Sequence, residues 1–270
     1  MRRVETSYWA MRNRLFSLVV SLAGTALSCA PGSGPGASVP GPGGEENCEK
    51  FGTVAVNGKQ YVVQNNEWNS GATQCVDAKG TAFTVTQGQF DIATNGPPAT
   101  YPAIFKGCHW GNCTEESGMP VQVAKLPAVT SSWSVAVPAA GGAYDVAYDI
   151  WFNRSPSTTG QPDGTELMIW LDHGGGVQPA GAKVATVDLA GSTWDLWMGK
   201  MESWKYVAYV RQPATSKVDN LDIRAFTMDS LKRGYVDPSN YLIAIEAGFE
   251  IWKGGPGFAT NAFSAAVGSQ

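Results

Sequence analysis

Two glutamates carry the chemistry this sequence is best equipped to perform. Glu166 stands in Thr165-Glu-Leu-Met-Ile-Trp170, and Glu250 in Ala247-Gly-Phe-Glu-Ile-Trp252. Paired carboxyls are what glycoside hydrolysis requires: one gives a proton to the departing oxygen, and the other attacks the anomeric carbon or activates water. Asp149, Asp172 and Glu246 compete for these roles. A lone glutamate on a strand is ordinarily just solvated. Here Met168 follows Glu166 by two residues and Trp252 follows Glu250 by two, so a thioether and an indole share the faces of the carboxyls. Indoles stack on the flat C–H faces of sugar rings. Trp170 and Trp252 fall on that side, and Trp68 follows the amide-rich Gln64-Asn65-Asn66.

These side chains act together only if strands present them. Side chains alternate along a strand, so Glu166, Met168, Trp170 and Asp172 share one face while Leu167, Ile169 and Leu171 share the other. In the second run Glu246, Glu250 and Trp252 oppose Ile243, Ile245, Ala247, Phe249 and Ile251. Similar short runs at 53–56, 60–64, 82–87, 132–137, 144–152, 183–189, 193–198 and 204–211 are separated by Gly, Pro, Asn, Asp and Ser. This spacing predicts an all-β sandwich or jelly roll of two packed antiparallel sheets. Asn57-Gly58 marks a hairpin. A single helix is predicted where Ile223, Phe226, Thr227 and Leu231 form a stripe, capped at or near Asn220 and stopped by Gly234, and it should pack on the outside of a sheet.

The N-terminal end reads differently from the rest. Arg12 and Arg14 precede an apolar run over 15–27, a secretory signal pattern too short to span a membrane comfortably. Residues 31–44 hold six Gly and four Pro in fourteen, a linker composition. The expected organisation is a signal peptide at 1–28, a linker at 29–45 and one domain at 46–270. Removing 1–28 takes away four arginines and one glutamate, a net +3, so the formal charge moves from −4 to −7. An acidic domain is a poor nucleic-acid binder and suits a neutral polymer.

Five cysteines leave one without a partner. Cys108 and Cys113 are close enough for a local bridge, and Cys48 with Cys75 would tie the first strand to a neighbour. Cys29 then stands alone after the apolar run, where it is expected to be either an acylated anchor or part of an ordinary cleavage region. The chain is expected outside the cell, tethered to its surface if Cys29 is acylated, and monomeric. Other motifs are weaker. His173-Gly-Gly-Gly176 looks like an esterase oxyanion loop, but no Gly-x-Ser-x-Gly accompanies it. With only His109 and His173, and no His-Glu-x-x-His or Cys-x-x-Cys, no metal or cofactor is called for.

Five ordered motifs resemble one family. Tyr61-Val-Val-Gln-Asn-Asn-Glu-Trp68, Cys108-His-Trp-Gly-Asn-Cys113, Tyr148-Asp-Ile-Trp151, Thr165-Glu-Leu-Met-Ile-Trp170 and Ala247-Gly-Phe-Glu-Ile-Trp252 are similar to those of the bacterial family-12 glycoside hydrolases, over roughly 47–263. The resemblance implies a β-jelly roll with a concave cleft that hydrolyses internal β-1,4 bonds of cellulose and related β-glucans with retention. It implies Glu166 as nucleophile, Glu250 as acid/base, and Asp149 as the aspartate touching the nucleophile. It places Asn66 and Trp68 on the donor side of the cleft and Met168 and Trp170 near the point of cleavage. It pairs Cys48 with Cys75 and Cys108 with Cys113. His109, Trp252 and Glu246 complete the expected sugar contacts, Glu246 standing where relatives often carry Gln. The 174–181 loop departs from the commoner Pro-Ile-Gly form. Carboxyls ~5 to 5.5 Å apart would favour retention, and more than ~6.5 Å inversion. Alternatives are a xyloglucan or xylan hydrolase on the same scaffold, a non-catalytic carbohydrate-binding jelly roll, and a purely structural sandwich.

Overall fold

The computed structural model describes residues 43–268. The expected signal peptide, Cys29 and nearly all of the expected linker lie outside the described residues. Glu45, the expected last residue of the linker, already pairs with Ala78 in the first strand.

The strands in chain order are β1 (Glu45–Asn47), β2 (Thr53–Val56), β3 (Tyr61–Gln64), β4 (Cys75–Lys79), β5 (Ala82–Gln87), β6 (Phe90–Asp91), β7 (Ala103–His109), β8 (Asn112–Cys113), β9 (Val121–Gln122), β10 (Val129–Ala136), β11 (Ala143–Asn153), β12 (Thr165–Gly174), β13 (Ala182–Leu189), β14 (Ser192–Lys200), β15 (Lys205–Gln212), β16 (Lys217–Asp222), β17 (Tyr241–Gly254) and β18 (Ala259–Val267). One α-helix, α1 (Ile223–Lys232), lies between β16 and β17. The smaller sheet runs β1-β4-β5-β18-β10-β16, and the larger β13-β14-β15-β12-β11-β17-β7-β3-β2. The hairpin at Asn57-Gly58 forms as expected: Val56 pairs with Tyr61, and Asn57, Gly58 and Lys59 all take positive φ.

Alternation builds the core. Ile245, Ala247, Phe249 and Ile251 of β17 meet Val146, Tyr148, Ile150 and Phe152 of β11 and Leu167 and Ile169 of β12 in one apolar cluster. The smaller sheet supplies Phe83 and Trp133 to it. Trp133 packs edge-on to Tyr148 at 5.0 Å, and Phe83 to Phe249 at 5.9 Å. Each large side chain buried this way contributes about 1.5–3 kcal/mol, so the inner face is fixed by burial and the other face is left free for chemistry.

Two features depart from the simple pattern. Pairing between β11 and β12 skips Leu171, since Ala147 faces Trp170 and Val146 faces Asp172. This β-bulge puts Leu171 and Asp172 on the same side. Asp172 accepts a hydrogen bond from the Tyr144 hydroxyl at 3.1 Å, and Tyr144 packs on Phe258 of the core. Asp172 therefore leaves the acidic face, contrary to the unbroken parity, and His173 takes its place opposite Asp145. The second departure is that β12 and β15 pair in parallel, with Glu166 opposite Tyr206. All other strand pairs are antiparallel.

Helix α1 lies against the face of the large sheet opposite the carboxylates. Phe226 packs edge-on to Trp194 of β14 at 4.8 Å and to Tyr209 of β15 at 5.1 Å. Its cap is Asp222, whose side chain accepts the Ala225 N–H at 3.0 Å. Asn220, the expected neighbourhood of the cap, belongs to β16 and takes φ +50.

The glycine-rich loop that follows β12 returns over the other face. Val177 is buried against Met168, Trp170, Tyr206, Ala208 and Val210, with Ala180 beside them. Gly181 ends this return at φ +88, pressed against the Met198 carbonyl, where any Cβ would collide with that oxygen. Gly181→Ala is expected to cost about 1–3 kcal/mol, read as a lower urea midpoint. An unchanged midpoint would mean that the loop relaxes freely.

Candidate active site

β12, β11 and β17 lie side by side and place five carboxyls on the face away from the core. In register, Glu166 pairs with Trp151, Met168 with Asp149, Asp149 with Glu246, and Asp145 with Glu250. Trp151 and Asp145 are six rows apart on β11, about 20 Å in a flat sheet, too far for charge to act across salt water. Yet the charge of Glu250 acts on Glu166, and that of Glu166 on Asp145. The carboxyl side chains therefore lean toward one another across these rows.

Each carboxyl has its own set of partners. The Trp204 indole N–H donates to Glu166 Oε2 at 2.6 Å. The Trp151 indole N–H donates to Asp149 Oδ2 at 2.7 Å, leaving Asp149 Oδ1 buried without a donor. Both oxygens of fully buried Glu246 are occupied: Gln64 Nε2 donates to Oε2 at 2.9 Å, and His109 Nδ1 lies 2.9 Å from Oε1. His109 thus spends a ring nitrogen on Glu246 rather than presenting it to the cleft. The backbone N–H of Glu250 donates to Asp145 Oδ1 at 3.4 Å, and Asp145 is 0% exposed.

Crowding perturbs the acids. Burial pushes Glu166 up to about 8 against the pull of the Trp204 N–H, and the charges of Glu250 and Glu246 add to the rise. Glu250 is held well above the ordinary carboxyl range by burial and by the Asp145 carboxyl. Asp149 is raised likewise, by burial first and then by Glu166, Glu246 and Glu250.

The expected sugar-facing aromatics divide into two groups. Met168, Trp170 and Trp252 are 2%, 1% and 4% exposed and form an apolar bed on the acidic side. The Tyr206 hydroxyl donates to Met168 Sδ at 3.2 Å, and the Trp252 indole N–H donates to the Gly96 carbonyl at 2.7 Å. Trp68 is half-buried. Asn66 is buried, and its carbonyl accepts from the Tyr101 N–H and the Thr100 hydroxyl. An aromatic ladder that starts at the expected His109 and runs through three indoles outside the expected site residues completes the site. His109 packs on Trp110 at 4.1 Å, Trp110 on Trp151 at 5.6 Å, and Trp151 on Trp204 at 5.7 Å. The Cys108–Cys113 disulfide closes the loop that carries His109 and Trp110, and Cys48–Cys75 joins the first strands.

An antiparallel face carrying carboxyls, amides and indoles above a jelly-roll core fits a glycoside hydrolase. The chain belongs to glycosyl hydrolase family 12, whose family model matches residues 59–268. It is 34% identical to endoglucanase S of Pectobacterium parmentieri over 209 residues, covering 72% of this chain and 77% of that one. It is 26% identical to a probable xyloglucan-specific endo-β-1,4-glucanase A of Aspergillus terreus, covering 82% and 86%. Among solved structures, endoglucanase cel12A from Rhodothermus marinus superposes with a TM-score of 0.80 at 42% identity, covering 84% of this chain and all of that one.

Proposed function

We propose that this protein hydrolyses internal β-1,4-glucosidic bonds of cellulose and related β-glucans by a retaining double displacement. The carrying observation is the unequal setting of the two glutamates on one face. Glu250 is pushed toward its protonated form, the state that a proton donor needs. Glu166 is raised as well, to about 8, but the Trp204 N–H pulls it back toward its ionised form, whereas the Asp145 carboxyl pushes Glu250 further up. Glu166 attacks the anomeric carbon as Glu250 protonates the leaving oxygen; water then enters with Glu250 as base and frees Glu166. Asp149 borders the nucleophile, and the half-buried rings of Trp68 and Trp110 offer faces to sugars. Glu246 acts through charge and through Gln64 and His109, both of its oxygens being engaged.

The family hosts more than one polymer specificity by name, so substrate choice is tested directly. Carboxymethylcellulose, mixed-linkage glucan, xyloglucan and xylan are incubated with the purified protein, and viscosity and reducing ends are followed together. Viscosity should fall ahead of reducing-end release on the unbranched β-glucans. Release from none of the four polymers would contradict the proposal, and release from xyloglucan alone would move the substrate to the branched polymer. Trp204→Phe is expected to remove the N–H that favours ionised Glu166. The acid limb of kcat/KM should then move to higher pH, and the rate below it should fall roughly tenfold; an unmoved acid limb would break the link between Trp204 and Glu166. Two disulfides suit an oxidising compartment and support export of the domain. The mass of the mature N-terminus decides between a cleaved chain and one acylated at Cys29.

A further inference from the structure

Asp145 is a fully buried carboxyl on the acidic face, and the double displacement gives it no task. It lies four residues before Asp149 on β11, so both point to the same side. Its cross-strand partners are Glu250 on β17 and His173 on β12. The Glu250 N–H reaches Asp145 Oδ1 at 3.4 Å, while Asp145 Oδ2 is buried with no N–H or hydroxyl to satisfy it. The group that meets Asp145 across the β11–β17 pair is Glu250, whose carboxyl lies close enough for hydrogen bonding between the two to lower Asp145 and raise Glu250. Two carboxyls can hydrogen-bond only while one of them holds a proton. The proton that satisfies Asp145 is therefore the one Glu250 is to deliver.

We propose that Asp145 is a positioning residue for the proton donor: paired across β11 and β17, its carboxyl orients the Glu250 side chain and keeps the transferable proton on it until the leaving oxygen takes it. This inference rests on Glu250 being the acid of the reaction. In the first step the C–O bond to the leaving group breaks, the new C–O bond forms to Glu166, and the proton passes from Glu250 to the leaving oxygen. Asp145 neither gains nor loses a proton in this step. The groups that face it are Glu250 from β17, Glu166 and His173 from β12, and Asp149 from its own strand, while the phenols of Tyr101 and Tyr206 feel its charge. Burial pushes Asp145 up to about 7, the Glu250 hydrogen bond pulls it back, and Asp149 and Glu166 add to the rise. Above that pH the ionised Asp145 opposes loss of the Glu250 proton, which extends acid catalysis toward alkaline pH.

Asp145→Asn tests this, because an amide keeps the shape but donates to ionised Glu250 instead of accepting from the acid. The full chain is assayed for kcat/KM against pH on a β-glucan and on 2,4-dinitrophenyl cellobioside, whose leaving group departs without a proton. The alkaline limb on glucan should move down by about one pH unit. At pH 7 and above, glucan hydrolysis should fall about tenfold and the aryl glycoside rate by less than about threefold. An unmoved limb, or equal losses on both substrates, overturns the inference. Should Asp145→Asn fail to fold, Asp145→Ser is judged by the same two outcomes, and Asp145→Glu should bring the limb back toward that of the parent. Glu250→Gln run in parallel separates the claims. If it hydrolyses glucan like the parent, Glu250 is not the acid and the mechanism itself falls; if it is inactive while the Asp145→Asn limb stays put, only the Asp145 inference falls.

Discussion

Glu166→Gln should lose roughly 10³-fold or more in kcat on β-glucan while folding normally. Nothing else on the acidic face can replace it as nucleophile. Asp149 is tied to Trp151, both oxygens of Glu246 are filled, and Asp145 and Glu250 are engaged with each other. The same substitution should raise stability at alkaline pH. Glu166 is held at about 8 in the fold, above the ~4.3 of a free glutamate. The fold therefore binds this proton more tightly than the unfolded chain does. That contribution is full below about pH 4 and is lost as pH rises through about 8, where the ionised group is a cost. Gln removes the charge while keeping an acceptor for the Trp204 N–H. A thermal melt at pH 8 should show Tm at or above that of the parent. A lower Tm accompanied by lost activity would mean that Glu166 serves the fold rather than the reaction.

Glu250→Gln is the second large effect, and its size should depend on the leaving group. An amide cannot protonate a sugar alkoxide, so glucan cleavage should fall about 10²- to 10⁴-fold. Dinitrophenyl cellobioside needs no acid in the first step and should still show a burst of phenolate. Its turnover then stalls because water lacks a base, and azide, which needs none, should restore it and give a β-glycosyl azide. Equal loss on both substrates, with no burst and no azide effect, would remove Glu250 from the acid/base role.

The face of each glutamate was legible in the sequence because period-two alternation is strict wherever one side must be buried. Ile245, Ala247, Phe249 and Ile251 could go nowhere but inward, and Glu246 and Glu250 followed. The same rule failed one residue beyond Leu171, since a bulge leaves no mark in the order of residue types. It could have yielded Asp145, which shares the parity of Asp149 on one strand. Trp204 was beyond reach of any local pattern: its place beside Glu166 depends on the parallel pairing of β12 with β15, two strands separated by a long excursion through β13 and β14. The burial of Met168 and Trp170 has the same origin, because the glycine-rich loop that brings Val177 onto them is positioned by that excursion. The helix stripe was read correctly, and its cap, expected at or near Asn220, is Asp222, two residues on; both residue types serve as caps, and only the end of β16 separates them.

Covalent trapping tests the central claim most directly. The protein is incubated with a 2-deoxy-2-fluoro cellooligosaccharide bearing a dinitrophenyl leaving group, then digested and sequenced by mass spectrometry. The double displacement predicts one added glycosyl unit on the peptide that contains Glu166, with the label on that carboxyl. A label on another residue, or no label from a reagent whose unfluorinated parent is hydrolysed with inversion of the anomeric centre, would contradict it.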